Sequence, residues 1–269
     1  MSAIDHVVFN TQERTDEVVD FFERIGFTVT SRGFHTLGSI NHTIVFGRDY
    51  LELLGYPPGH PPAKRPELVT QALGLMATVL ATQDADATHA GLRANGLQPR
   101  PVQSFSRPVD LGAGNMKDAS FRVTRLAPDA VPGTWFYYCQ HLTPELVWRP
   151  EWQAHANGAT GISALDIDVP DMALALQNYR ACVPGSGPET LGRSGSSAIF
   201  SLRDCALRLH QLPGVARMRA LTIRVASLDP ALRLLQRNHI KHAVIDQTII
   251  LDPASSFGAT LQLCASAVG

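Results

Sequence analysis

Charged residues are scarce in this chain of 269 residues, at 17% of the total. The two signs nearly cancel, because 23 Lys and Arg stand against 24 Asp and Glu, and the isoelectric point is about 6.8. A broad basic surface that could condense on nucleic acid or on an anionic membrane is therefore excluded. The composition favours a small molecule as the partner, with no nucleic acid and no membrane.

Long apolar runs are also absent. No stretch approaches the ~20 apolar residues that a membrane helix needs, and the start of the chain lacks the basic and apolar regions of a signal peptide. We therefore expect a soluble, cytoplasmic protein. The four cysteines, Cys139, Cys182, Cys205 and Cys264, include no C-x-x-C pair, which argues against a thiolate zinc site and a disulfide framework. Buried, reduced thiols are the expectation.

Apolar residues make up 45% of the chain, enough for a large core, and the length favours two domains. The first 54 residues contain a strand at 4–10 and a helix at 15–25 with one apolar stripe. Gly26 stands where a helix end favours glycine. Short β-rich runs follow at 27–30, 40–46 and 50–54, so the predicted order is βαβββ.

The same order recurs three times along the chain, which makes an internal repeat the main organising feature. In the second copy, a strand is predicted at 75–82, a helix at 85–94 with Asp84 as its N-cap, and two strands within 121–141. Residues 99–117, which are rich in Pro, Gly and Ser, are predicted to form a long loop. The third and fourth copies begin with strands at 161–169 and 220–225.

Two such units must pair, because one βαβββ unit leaves a sheet face bare. Side-by-side pairing gives a strongly curved sheet with a half-open cleft, where small ligands bind. The predicted fold is α+β, with four modules in two paired-module domains. The predicted domains are residues 1–145 and a degenerate 159–269, joined by a linker at 146–158 that contains Pro150, two tryptophans and Asn157-Gly158.

Several segments carry a resemblance to a known family: Asp5-His6-Val7-Val8, residues 41–46 (NHTIVF), Tyr50-Leu51-Glu52, Gln140-His141 and residues 258–263 (GATLQL). The chain resembles the vicinal oxygen chelate superfamily, which contains glyoxalase I, fosfomycin resistance proteins and extradiol ring-cleaving dioxygenases. It is most similar to the glyoxalase-like branch. The resemblance covers essentially the whole chain, and it implies the fold more strongly than any one reaction, since this scaffold hosts many chemistries.

The resemblance implies a divalent metal (Zn, Mn, Fe or Ni) held by a His on the first strand and a Glu on the fourth strand of a module. His6 and Glu52 fill these two positions in the first copy. Imidazole and carboxylate suit such metals and leave coordination positions open for substrate oxygens. In the other copies the His position is predicted to fall at Met76, Ala164 and Ala220, none of which binds such an ion. The Glu position is predicted to fall at Arg208 in the third copy and at Gln262 in the fourth.

A third ligand is expected from the last strand of the second copy, from either Gln140 or His141. Strand alternation places these neighbours on opposite faces, so one of them at most can face the cleft. His141 is favoured, because with His6 and Glu52 it would complete a two-His-one-carboxylate set typical of non-haem iron sites. Gln140 would instead resemble a glyoxalase-type set.

Four residues are candidates for substrate binding: His35, Asn41, Gln140 and Trp148. The predicted function is a metal-dependent isomerase, lyase or ring-cleaving dioxygenase that chelates a small oxygenated substrate. The alternative is a metal-free protein of the same fold that binds or sequesters a small molecule, which the missing histidines of the other copies favour. Because open sheets often associate at their edges, a homodimer is a further partner to consider.

Overall fold

The protein is described by a computed structural model that covers residues 1–35, 38–112, 114–183, 185, 187–191 and 196–265. The helices are α1 (Thr15–Arg24), α2 (Glu67–Thr70), α3 (Ala85–Ala94), α4 (Met172–Cys182) and α5 (Leu228–Arg237). Among the described residues, no helix is both long enough and apolar enough to cross a lipid bilayer. The predicted N-cap of α3 is confirmed, since the Asp84 carboxylate accepts from the backbone N–H groups of Asp86 and Ala87.

The strands within the described residues form two sheets of eight. The first sheet contains β1 (Ile4–Gln12), β2 (Gly33–Phe34), β3 (Ile40–Val45), β4 (Tyr50–Gly55), β5 (Gly74–Ala81), β6 (Gln103–Asp110), β7 (Met116–Arg125) and β8 (Trp135–His141). The second sheet contains β9 (Ala159–Val169), β10 (Pro188–Leu191), β11 (Ser197–Ser201), β12 (Ala206–Gln211), β13 (Arg217–Val225), β14 (Ala243–Ile245), β15 (Thr248–Leu251) and β16 (Thr260–Cys264).

The two sheets have equivalent strand orders, β2-β3-β4-β1-β5-β8-β7-β6 and β10-β11-β12-β9-β13-β16-β15-β14. In each of the four modules the first strand pairs in parallel with the last strand, and the two modules of a sheet meet through antiparallel first strands. The predicted α+β fold of four βαβββ modules is therefore confirmed. The domain limits at 145 and 159 stay a prediction.

The segment that joins the two sheets packs against the first half of the chain. It holds two short 3-10 turns, Pro144–Leu146 and Pro150–Trp152. Beyond them, the buried Asn157 amide donates to the Ile25 carbonyl oxygen at 3.0 Å, and the His155 ring accepts from the Thr28 backbone N–H at 3.0 Å. These bonds connect the start of the second sheet to the end of α1.

Two predictions on local structure were wrong. Residues 99–117, predicted as a loop, contain β6 and the start of β7, which pair antiparallel from Gln103 to Asp110. The proline and polar residues of this segment suggested a loop, but β6 is an edge strand, where Pro108 and exposed polar side chains are tolerated. The strand predicted at 27–30 is irregular, and the second strand of the first module is instead the short β2.

One face of each sheet contributes to a single apolar core shared with the helices. Its largest fully buried side chains include Phe9, Phe22, Phe136, Tyr179 and Phe200. The other face of the first sheet carries a separate apolar cluster that includes aromatic side chains of β7 and β8. Burial of three cysteines, Cys139, Cys182 and Cys205, agrees with the expected buried thiols.

The first sheet curls strongly, so that its two edge strands approach each other. β2 and β6 lie in contact. A guanidinium nitrogen of Arg107 lies 3.7 Å from the position that a Cβ atom on Gly33 would occupy. The curl turns the face that carries the second apolar cluster inward. A cleft with a volume of about 80 Å³ lies within this curl. We call it the first-sheet cleft.

Gly55 and Gly91 should respond in opposite directions to the same substitution. A Cβ on Gly55, at the end of β4, would overlap the Thr11 hydroxyl and the Gln12 carbonyl oxygen, so Gly55→Ala should cost about 1–3 kcal/mol. A Cβ on Gly91, within α3, would meet open space, so Gly91→Ala should gain about 0.5–1 kcal/mol. Urea denaturation of both variants measures the difference, and equal midpoints would contradict the expected overlap at Gly55.

Candidate active site

The first-sheet cleft is lined by polar and aromatic side chains from six of the eight strands. The polar lining includes His6, Asn41, Glu52, Arg107, Arg125 and Tyr137. His6 is buried and Glu52 is half-buried. The cleft therefore brings the His6 imidazole and the Glu52 carboxylate together in a site shielded from bulk water.

A β-bulge in β1 determines how His6 is presented. Opposite β5, Ile4 pairs with Leu80 and His6 pairs with Val79, so Asp5 is an extra residue between them. The bulge breaks the usual alternation of side chains, and Asp5 and His6 come into contact on the cleft side of the sheet. The His6 Nδ1 atom lies 2.6 Å from the Asp5 Oδ1 atom.

Asp5 is a buried carboxylate shared by two histidines. Its Oδ1 atom accepts from His6 Nδ1 and, at 3.0 Å, from His141 Nε2. Burial opposes ionisation of Asp5, but His141 and His6 outweigh it and lower the pKa to about 2. Because an ionised carboxylate only accepts hydrogen bonds, the His6 proton lies on Nδ1 and its Nε2 lone pair faces the cleft.

The Nε2 atom of His6 has two neighbours in the cleft. It lies 3.8 Å from Glu52 Oε2 and 3.3 Å from the Tyr137 hydroxyl. The His6 ring is stacked on Tyr50 at a centroid distance of 4.4 Å. Stacking and the Asp5 hydrogen bond together fix the orientation of the imidazole.

Glu52 is held in place by Asn41, whose amide nitrogen donates to Glu52 Oε1 at 2.7 Å. Burial disfavours the charged form of Glu52, but His6, His35 and the Asn41 hydrogen bond outweigh it, so the Glu52 pKa is lowered. The carboxylate is therefore charged at neutral pH. Its second oxygen, Oε2, is the one that faces His6.

His141 and Gln140 lie on opposite sides of β8, as strand alternation requires. His141 is on the cleft side but beneath the cleft lining, where it contacts Asp5 and packs against Trp148 at a centroid distance of 4.6 Å. Gln140 bonds to the Ala85 N–H and to the Gln83 carbonyl oxygen at the start of α3. Gln140 is thus placed away from the predicted substrate, because its amide is engaged by the helix.

The remaining candidates are divided between the cleft and the layer below it. His35 lines the cleft, and its Nδ1 atom lies 2.8 Å from the Ser39 hydroxyl. Asn41 also lines the cleft and orients Glu52. Trp148 lies outside the lining, against Tyr50 and His141, and its buried indole N–H has no hydrogen-bond partner among the described residues.

The strand registers show which residues occupy the His and Glu positions of the second module. The pairs His6–Tyr50 and Val8–Glu52 of the first module correspond to Ala77–Trp135 and Val79–Tyr137. The predicted position Met76 was therefore wrong by one residue, and Ala77 takes its place. Tyr137 stands in the position equivalent to Glu52, which brings its hydroxyl to His6.

The second sheet has no comparable donor pair at these positions. Its registers pair Asp166 with Arg208 and Thr222 with Gln262, in agreement with the predicted Arg208 and Gln262. Asp166 bonds to His210 at 2.7 Å, and Arg219 lies 3.1 Å from Asp168. These charges offset one another across the face of the sheet.

The donor atoms of the first-sheet cleft are suited to a divalent metal. Metal–ligand bonds of about 2.1 Å allow two ligand atoms on one ion to lie up to about 4.2 Å apart. The 3.8 Å between His6 Nε2 and Glu52 Oε2 falls within this limit. Asp5 would act as the carboxylate partner that orients a metal-bound imidazole.

A second group, Asp5, Cys139 and His141, also has ligand atoms within 4.8 Å of one another. It is less suited to a metal, because Asp5 already accepts from two imidazoles. In addition, burial raises the pKa of the Cys139 thiol well above its usual value, which keeps it protonated. His6 and Glu52 are the better donor pair.

Sequence reasoning missed Tyr137, Arg107 and Arg125, which line the same cleft. Tyr137 could have been found from the module repeat, since it occupies the position of Glu52 in the second copy. The two arginines gave no such signal. Arg107 lies in the segment predicted as a loop, and only the pairing of β6 with β7 brings it to the cleft.

A sequence model of the glyoxalase-like domain family matches residues 4–183, which is more than half of the chain. The protein belongs to this family, within the vicinal oxygen chelate superfamily. No curated protein matches the sequence significantly. The family match includes all of the first sheet and therefore the cleft with His6 and Glu52.

Solved structures share the fold at low sequence identity. A hypothetical protein from Staphylococcus aureus has a TM-score of 0.71 at 10% identity, over 98% of this chain and 99% of that one. Catechol 2,3-dioxygenase has a TM-score of 0.58 at 15% identity, over 97% and 91%. A mutant of 4-hydroxymandelate synthase from Streptomyces coelicolor has a TM-score of 0.57 at 11% identity, over 100% and 94%. These likenesses show the fold.

Proposed function

We propose that the protein is a metal-dependent enzyme that acts on a small oxygenated substrate in the first-sheet cleft. The observation that carries this proposal is the 3.8 Å distance between His6 Nε2 and Glu52 Oε2, two donor atoms that face each other in a shielded cleft. His6 and Glu52 would hold the metal. When bound, a divalent metal supplies a Lewis acid that stabilises negative charge developing on substrate oxygens.

Three residues of the chain have supporting roles in this proposal. Asp5 keeps the His6 proton on Nδ1, so that Nε2 stays available. Asn41 fixes the rotation of the Glu52 carboxylate. Burial raises the pKa of Tyr137, so its hydroxyl remains protonated beside His6 and can donate a hydrogen bond to a substrate oxygen.

The reaction classes proposed are isomerase, lyase and ring-cleaving dioxygenase. One structural neighbour, catechol 2,3-dioxygenase, bears a name that places dioxygenase chemistry on this fold. That support is an analogy of fold, since the same scaffold hosts several reactions. The predicted third ligand, His141, would act on His6 through Asp5.

Elemental analysis after purification without chelators tests the proposal. The parent protein should retain Zn, Mn, Fe or Ni in near-stoichiometric amounts, and His6→Ala and Glu52→Gln should lose it, because each substitution removes a ligand atom. His60→Ala, which removes an exposed histidine, should keep the metal. A parent protein that retains none of the four metals, even after loading, would contradict the enzyme proposal.

A metal-free binding protein is the second candidate. It is favoured by Ala77 and Tyr137, which occupy the His and Glu positions of the second module. Of the four such positions in the two modules of the first sheet, these two therefore carry no typical metal ligand. Calorimetric titration distinguishes the two candidates. A small molecule that binds tightly to the parent and to His6→Ala alike, without metal, would favour this alternative.

A further inference from the structure

Three arginines line the first-sheet cleft: Arg65, Arg107 and Arg125. Glu52 is the one carboxylate among the described residues of the lining. The lining therefore carries an excess of positive charge, although the chain as a whole is nearly neutral. A cleft with charge of one sign attracts ligands of the opposite sign.

The three guanidinium groups differ in how far the protein satisfies them. Arg65 is paired with Glu67. Arg125 donates to the Gln103 side chain at 2.9 Å and lies over the Tyr137 ring, 5.3 Å from its centroid. Arg107 is half-buried and has no hydrogen-bond or ion-pair partner among the described residues.

An unpaired guanidinium in a shielded site is costly unless an anion neutralises it. Burial lowers the pKa of Arg107, although Tyr50 and Glu52 oppose the shift. The charged form of Arg107 is therefore less stable than that of an exposed arginine. The fork of N–H donors on a guanidinium matches the two oxygens of a carboxylate. Arg107 is therefore equipped to bind a carboxylate from a ligand.

The walls near these arginines are flat and aromatic. The rings of Phe105 and Phe121 are stacked, with centroids 5.2 Å apart and an interplanar angle of 24°. Both rings line the cleft, together with Tyr137. Flat apolar walls favour planar ligands, which bury their faces without leaving gaps.

We propose that the ligand of the first-sheet cleft is a small planar carboxylate, such as an aromatic or conjugated acid, whose carboxylate binds Arg107. Arg125 flanks the same cleft and adds to the attraction. This inference deepens the proposed function and rests on it for the view that the ligand is a substrate. The recognition of the anion by Arg107 does not require a metal.

Calorimetric titration in the presence of EDTA tests the inference with matched probes. Benzoate and benzamide have nearly the same shape and differ in charge. Benzoate should bind to the parent protein with an affinity at least tenfold higher than benzamide. Arg107→Gln should weaken benzoate binding at least tenfold and leave benzamide unchanged, because only benzoate loses an ionic partner.

Two further variants keep the test decisive. Arg122→Gln removes a half-buried arginine of the neighbouring strand that lies outside the cleft lining, and it should leave benzoate affinity unchanged. Arg107→Lys keeps the charge but loses the fork, so its benzoate affinity should lie between those of the parent and Arg107→Gln. It provides the measurement if Arg107→Gln does not fold, which circular dichroism would show.

Several outcomes would overturn the inference. These are no benzoate binding below 10 mM, equal affinity for benzoate and benzamide, or full benzoate affinity in the Arg107 variants. Tighter binding of phenyl phosphate than of benzoate would assign the site to phosphate esters and overturn the carboxylate assignment. Because metal is absent from this measurement, its failure is separate from failure of the metal analysis with His6→Ala.

Discussion

The Asp49→Asn variant is expected to be more stable than the parent protein at pH 8 and about equally stable at pH 4. Asp49 lies between the two sheets, where its buried carboxylate accepts from the backbone N–H of Ile162 at 3.0 Å. Burial raises the Asp49 pKa to about 7, although the Ile162 hydrogen bond and Arg224 oppose the shift. The negative charges of Asp5 and Asp204 nearby contribute to the raised pKa of Asp49.

The sign of the effect follows from the order in which the two states lose the proton. As pH rises from about 4, Asp49 ionises first in the unfolded chain, so the folded state loses stability until pH reaches about 7. At about 1.4 kcal/mol per pH unit, the loss amounts to at most about 4 kcal/mol. Asparagine cannot ionise and escapes this loss.

Urea denaturation at pH 4, 6 and 8 measures the expected divergence between the parent and Asp49→Asn. Asp20→Asn is a matched control, because Asp20 is exposed on α1 and should leave the difference between the pH values unchanged. A constant difference between the parent and Asp49→Asn at all three pH values would show that Asp49 is ionised throughout and that its burial costs less than the structure indicates.

The Asp5→Ala variant is expected to lose about 3–5 kcal/mol of stability at pH 7, because removal of one member of a buried ionic cluster leaves its partners unsatisfied. His6 and His141 both depend on Asp5 Oδ1, and neither has another carboxylate as close. Loss of the Nδ1 acceptor also frees the His6 ring to change tautomer. The affinity of the proposed His6–Glu52 metal site should therefore fall about 10–100-fold in the same variant.

Urea denaturation and a competitive metal titration measure these two effects independently. Asp86→Ala is the control, since it removes an exposed carboxylate paired with Arg122 and should barely move the midpoint. A loss below about 1 kcal/mol for Asp5→Ala would mean that the two imidazoles find other acceptors, which would contradict a structural role for the bulge.

Much of the fold could be predicted because each copy of the repeat shows the apolar periodicity of its strands and its helix in the sequence. Periodic apolar residues and the N-cap Asp84 marked the helices, and the same strand order occurred in four copies. The choice of His6 and Glu52 followed from the family resemblance, which implies ligands on the first and fourth strands of a module, and these two strands are neighbours in the sheet. In the third and fourth copies, regular registers placed Arg208 and Gln262 as predicted.

The errors have a common physical origin in irregular strands. The bulge at Asp5 exists only in the pairing of β1 with β5, so alternation along one strand could not reveal that Asp5 and His6 lie together. A second register shift, after Val8, moved the equivalent position from Met76 to Ala77. The edge strand β6 was missed because it contains Pro108 and mostly exposed polar side chains, a composition that is typical of loops and is also tolerated at the edge of a sheet.

The shape of the first sheet separates the residues that stabilise the protein from the arginine proposed to select its ligand. The wall that carries Arg107 comes from β6, whose side chains are mostly exposed and contribute little to either apolar core. His6 and Glu52 stand on central strands embedded in that core. If Arg107 selects the ligand as proposed, substitutions along β6 can change selectivity in an evolving lineage while the proposed metal ligands on the central strands, and the stability of the scaffold, stay intact.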